Sequence, residues 1–140
     1  MQGKIFNGKA VLRVDVGEEV IESILKFIEE NNIKLASVSG IGASNNLTVG
    51  LFNTETKEYI TNTYSGKDYE ITSFMGNITT KDGEPYIHLH VTFSDVQQTT
   101  FGGHLNKCVI SGACELFFDI VDGTVERYFD KKIGLNTLKF

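Results

Sequence analysis

The sequence of 140 residues contains only three histidines, and all of them fall between positions 88 and 104. His88 and His90 stand in Glu84-Pro-Tyr-Ile-His-Leu-His-Val-Thr-Phe93, where Ile87, Leu89, Val91 and Phe93 alternate with Tyr86, His88, His90 and Thr92. A period of two is the pattern of a half-buried strand, so both imidazoles project side by side from its polar face. His104 follows Gly102-Gly103, and two glycines let the backbone bend, which would bring the third imidazole toward the pair. Three neutral imidazoles form a donor set for zinc, and equally for nickel, copper or iron. Three protein ligands plus a water is the open arrangement of catalytic zinc, which lowers the pKa of bound water to about 7. The competing reading is three solvated surface histidines with no ion between them.

An enzyme would need more than a metal: an acid or base, and a pocket. Glu70 in Tyr69-Glu-Ile-Thr-Ser73 and Asp95 just past the histidine strand are candidates for the acid or base, and Arg13 for holding an anion. Each has a plainer reading as a solvated charge near a strand end. No Ser/His/Asp or Cys/His arrangement follows from spacing. Cys108 and Cys114 are five residues apart. That is neither a redox nor a zinc-knuckle spacing, so they read as reduced thiols packed in strands. Ser39-Gly-Ile-Gly-Ala-Ser44 begins like a dinucleotide fingerprint, but Asn45 stands where the third glycine belongs and no helix follows. Its two glycines read instead as a sharp connection between strands.

The elements that must position the histidines are mostly strands. One helix is predicted over Glu18–Asn32, with apolar Val20, Ile21, Ile24, Leu25, Phe27 and Ile28 at three- and four-residue spacing. Glu18 and Glu19 suit its first turn, Glu22 and Lys26 form an i,i+4 pair, and Asn31-Asn32 ends it. Strands are expected at Lys9–Asp15, Leu35–Ser39, Leu47–Asn53, Glu58–Tyr64, Tyr69–Ile78, Tyr86–Ser94, Glu115–Val121 and Thr124–Phe129. Lys81-Asp-Gly-Glu84 is a strong hairpin signal, and Asp122-Gly123 is expected to join the last two strands in the same way. The fold class expected is α+β: one domain over residues 1–140, built on a mostly antiparallel β-sheet with a covering helix near the N-terminus.

Composition narrows the function. The sequence is 41% hydrophobic and 22% charged, with one proline and fourteen glycines, which is ordinary globular usage with many turns. No apolar stretch approaches a membrane span, and no signal-like apolar region follows the first residues, so a cytoplasmic protein is expected. Thirteen Lys+Arg against eighteen Asp+Glu leave a charge of −5. The basic residues are scattered, the densest group being Lys131-Lys132. This counts against a duplex binder, which displaces counterions with a basic face.

Taken in order along the chain, several segments resemble the plants-and-prokaryotes-conserved (PPC) domain family over about Gly8 to Phe129. They are Leu12-Arg13, Gly17-Glu-Glu-Val-Ile-Glu-Ser-Ile24, Ser37-Val-Ser-Gly-Ile-Gly42, Tyr69-Glu-Ile71, His88-Leu-His90 and Gly102-Gly-His-Leu105. The resemblance implies antiparallel sheets and assembly as a homotrimer. In prokaryotic members His-x-His and Gly-Gly-His are associated with a metal site, which maps onto His88, His90 and His104. Plant members generally lack these histidines, which implies that the fold does not require the metal. Stand-alone members are commonly labelled DNA-binding, yet the plant proteins contact DNA largely through a Gly-Arg-Pro AT-hook. This sequence has no such core, since its lone proline, Pro85, follows Glu84. The uncharged Val96-Gln-Gln-Thr-Thr100 also departs from relatives and would alter ligand preference if it rims a site. Three expectations follow: a trimer whose three-histidine site, with zinc or another divalent transition metal, binds or converts a small anionic ligand; a regulatory module that binds DNA or protein; or a trimeric scaffold with incidental histidines.

Overall fold

Alternating strand patterns over most of the sequence produce a mostly antiparallel β structure with one helix in the computed structural model, which describes residues 1–140. The strands are β1 (Gln2–Phe6), β2 (Lys9–Val14), β3 (Ala36–Phe52), β4 (Tyr59–Lys81), β5 (Glu84–Ser94), β6 (Thr100–Ile120), β7 (Glu126–Asp130) and β8 (Leu135–Lys139). The helix α1 spans Val20–Glu30. Pairing follows the order β1-β2-β6-β3-β4-β7-β8, with β5 bridging β4 and β6. Strands β3, β4, β5 and β6 thus form a closed circuit of antiparallel pairs.

The helix buries Val20, Ile24, Phe27 and Ile28, and Phe27 packs its ring 5.7 Å from that of Phe118 on β6. Its N-cap is Glu19, whose carboxylate accepts from the Glu22 N–H at 2.8 Å and from the Cys108 N–H at 2.8 Å. One side chain therefore both caps the helix and ties it to β6. The expected Glu22–Lys26 pair does not form; Lys26 reaches Glu30 at 4.0 Å. The core is a cluster of 25 buried apolar residues that includes Leu12, Phe74, Leu89, Val91, Phe93 and Phe118.

Several sequence expectations are corrected. Residues 39–44 are no connection: β3 runs through them, with register shifts between Gly40 and Gly42 and between Ser44 and Asn46. The glycines are there because β6 lies too close for a side chain, a Cβ on Gly42 falling 2.7 Å from the Ala113 carbonyl. At the second shift the buried Ser44 hydroxyl donates to the Val109 carbonyl at 2.5 Å and accepts from the Asn46 N–H. Backbone groups freed by the irregularity are thereby satisfied. Residues 65–68 likewise lie within the continuous 23-residue β4, and β1 was not anticipated at all. The Asp82-Gly83 turn is as expected, with φ of 54° and 84° at its two residues, linking β4 to β5. The turn at Asp122-Gly123 does not make a hairpin. β7 pairs instead with β8 and touches β4 in parallel at Thr80↔Glu126.

Candidate metal centre

Two neighbouring strands place the three imidazoles. On β5, Leu89, Val91 and Phe93 are buried while His88 and His90 turn to the opposite side, as alternation requires. β5 pairs with β6 in the register His90↔His104, so the third imidazole stands directly across the ladder from the second. Ring centroids are 5.3 Å apart for His88–His90, 5.1 Å for His88–His104 and 5.5 Å for His90–His104. One nitrogen from each ring lies within 4.8 Å of the others. The expected bend at Gly102-Gly103 is absent. Both sit inside the unbroken β6, where a Cβ on Gly102 would fall 2.8 Å from the Val91 carbonyl. Register pairing, and not a turn, delivers His104.

The electrostatics favour neutral imidazoles. Burial, reinforced by His104, Arg127 and His90, lowers the His88 pKa to about 4. Burial and then His90 lower that of His104. Neutral imidazole is the form that binds a metal, so a cation need displace no proton from His88 near neutral pH. A tetrahedral ion with bonds of about 2.05 Å needs its ligand nitrogens about 3.3 Å apart. Rotation of the imidazoles about their side-chain bonds can close the difference. The donor set and its spacing fit a divalent transition metal.

The histidines line a cleft of about 540 Å³ together with Leu51, Phe52, Tyr59, Tyr86, Arg127, Leu135 and Asn136. The β7–β8 hairpin forms one wall, and Lys57 holds its turn by donating to the Lys132 and Ile133 carbonyls at 3.2 and 2.8 Å. Tyr59 stands edge-on to His104, with its hydroxyl donating to Asn106 at 2.8 Å. Arg127 is the residue that sequence reading missed. It is buried, and its Nη2 lies 3.5 Å from Nδ1 of His88. Nothing in the local sequence Glu-Arg-Tyr-Phe marks it, because β7 arrives beside β4 through a tertiary contact.

The acid, base and anion candidates are elsewhere. Arg13 is exposed and paired with Asp15 at 2.7 Å. Asp95 accepts from the Gln97 and Thr99 N–H groups, each at 3.0 Å, and so shapes its own turn. Glu70 shares with Asp95 a separate cleft of about 410 Å³ that contains no histidine. Cys108 and Cys114 are free, buried thiols whose pKa burial pushes up to about 12, as inert packed cysteines would have.

A family model described as the Plants and Prokaryotes Conserved (PCC) domain matches residues 3–121. A metal-containing protein from Archaeoglobus fulgidus is 32% identical with a TM-score of 0.87, the match covering 98% of this chain and 99% of that one. A plant- and prokaryote-conserved protein from Pyrococcus horikoshii is 32% identical with a TM-score of 0.85, covering 99% and 95%. A protein from Bacteroides thetaiotaomicron, provisionally named as DNA-binding, is 29% identical with a TM-score of 0.96, covering 99% and 96%. No curated protein matches the sequence.

Proposed function

Because the chain belongs to the Plants and Prokaryotes Conserved (PCC) domain family, we propose that it is a homotrimeric metal protein whose His88, His90 and His104 hold a divalent transition metal, zinc foremost, beside a cleft for a small ligand. The observation that carries this reading is the convergence of three imidazole nitrogens within 4.8 Å on one side of a sheet. The metal-containing relative from Archaeoglobus fulgidus supports it. Such an ion supplies Lewis acidity and an acidified water. The chain's own residues do the rest. Neighbouring strands fix the imidazoles, burial keeps His88 and His104 neutral, and Tyr59 and the β7–β8 hairpin wall the cleft.

Assembly is supported by apolar side chains left in solvent on adjacent strands, among them Ile41, Met75 and Phe117. Met75 and Phe117 flank Ser39 in one cross-strand row. A nucleic-acid role finds less support, despite the naming of some relatives. The chain carries a charge of −5, whereas duplex binding draws on basic faces.

The test is metal content per chain by mass spectrometry on protein purified without added metal or chelator. Near-stoichiometric zinc or a neighbouring transition metal is expected, and it should be lost in His88→Ala and His104→Ala while circular dichroism stays unchanged. Substoichiometric metal that dialysis against zinc does not restore would overturn the reading.

A further inference from the structure

A buried arginine stands at the histidine cleft with no anion to match it. Arg127 is 7% exposed. Its Nε donates to the Thr79 hydroxyl at 2.8 Å, one Nη1 hydrogen goes to the Asn136 carbonyl at 2.9 Å, and one Nη2 hydrogen goes to Oδ1 of Asn77 at 2.9 Å. Its guanidinium lies 4.7 Å from the centre of the Tyr86 ring. All of these partners are neutral. Six ion pairs occur in the chain and Arg127 is in none of them, nor is there an aspartate or glutamate among the residues lining the cleft. A buried charge held only by neutral groups keeps an unrecovered desolvation cost, which an anion beside it would offset.

We propose that Arg127 is the recognition residue for a small organic carboxylate, which binds in this cleft with its apolar part against Leu51, Phe52 and Leu135. A guanidinium has five N–H groups; three are donated at 2.8–2.9 Å, Nη1 retains one, and the remaining Nη2 hydrogen has only the long 3.5 Å contact with Nδ1 of His88. A carboxylate that replaces that long contact meets one hydrogen on each of Nη1 and Nη2 with its two oxygens. Asn77, Thr79, Asn136 and Tyr86 fix the guanidinium before any ligand arrives, so little ordering cost remains for binding. Carboxylate is favoured over phosphate because no lysine and no second arginine lines the cleft, while Leu51, Phe52, Tyr59, Tyr86 and Leu135 give it aliphatic and aromatic walls. Arg127, Leu135 and Asn136 all come from the β7–β8 hairpin, beyond residue 121 where the family match ends. Ligand choice is thus assigned to a segment outside the matched core. The proposal rests on the metal reading only for what the ligand meets at the histidine end, and carboxylate recognition itself needs no ion.

The test is calorimetric titration of wild-type protein, metal-loaded and chelator-stripped, with isovalerate, its neutral isostere isovaleramide, and inorganic phosphate. Isovalerate is expected to bind about tenfold or more tighter than the amide, as loss of a charge-assisted hydrogen bond implies, and phosphate more weakly than isovalerate. Arg127→Met should abolish the preference for acid over amide, and Arg127→Lys should retain part of it. The wild-type comparison stands even if the variants prove unstable. Equal binding of acid and amide, preference for phosphate, no acid binding at millimolar concentration, or an unchanged preference in folded Arg127→Met would each overturn the proposal. Metal content measured on the same samples separates the two readings. Acid preference in metal-free protein upholds this proposal if the metal reading fails, and bound metal without acid preference overturns this one alone.

Discussion

His88 has two measurable consequences at the scale of a single side chain. Its pKa lies at about 4 in the native fold against 6.5 for a free imidazole. Between those values the unfolded chain takes up a proton that the native state excludes, so stability falls as pH drops through that window and is fully present above it. Metal-free protein should therefore lose stability between pH 7 and pH 5, and His88→Asn should reduce that loss. The difference is about 1 kcal/mol once screening at this half-buried site is allowed for, read from urea midpoints at the two pH values. Identical pH profiles for both proteins would remove the premise that burial holds His88 neutral. The second consequence concerns metal. An ion that binds only the folded site raises stability by about 4 kcal/mol at a thousandfold excess over its Kd, so zinc should raise the Tm of wild type and leave that of His88→Ala unmoved.

At the scale of elements, the site depends on how closely β5 rides on β4. Gly76 of β4 pairs with Leu89 of β5, between the partners of His88 and His90. A Cβ there would overlap the His88 carbonyl oxygen and lie 2.8 Å from the Leu89 Cα. Backbone cannot swing aside as a side-chain tip can, so β5 would have to retreat. Gly76→Ala should cost about 1–3 kcal/mol in urea denaturation and weaken zinc binding, because His88 and His90 move with the strand while His104 on β6 stays. Full stability together with unchanged zinc affinity would show that the strand pair is more compliant than its spacing implies. The β7–β8 hairpin is the other decisive element, since it closes the cleft and carries the arginine.

For the whole molecule, the question is what covers Ile41, Met75 and Phe117. Sedimentation of wild type should give a trimer, and the double variant Met75→Lys, Phe117→Lys a smaller species, because burying an unpaired ammonium is costly. All three histidines lie on β5 and β6 of the same chain, so the dispersed variant should retain its metal. A wild-type monomer would dispose of the assembly proposal, and metal lost on dispersal would mean that a neighbouring subunit completes the site. The charge of −5 carries a further expectation, that labelled duplex DNA shows no anisotropy change at physiological salt. Binding with a steep salt slope would instead revive the nucleic-acid reading.

What the sequence alone determined was local. Alternation put His88 and His90 on one side of a strand, three- and four-residue spacing produced the helix at 20–30, and Asp82-Gly83 made its turn. Each of these follows from period and backbone preference within a few residues. The segments quoted in order also pointed to the family. Non-local facts came only with the tertiary structure. Residues 39–44 look like a break when read alone, yet β3 runs through them because β4 and β6 pair with its two edges, and residues 66–68 are an irregularity within β4, between Ser65 and Tyr69, which pair with Asn46 and Ser44 of β3. His104 reaches its partners through β5–β6 register, and Arg127 through a hairpin that docks on β4. Register and docking are set by which surfaces bury one another across the chain, and no window of sequence around residue 104 or 127 contains that information.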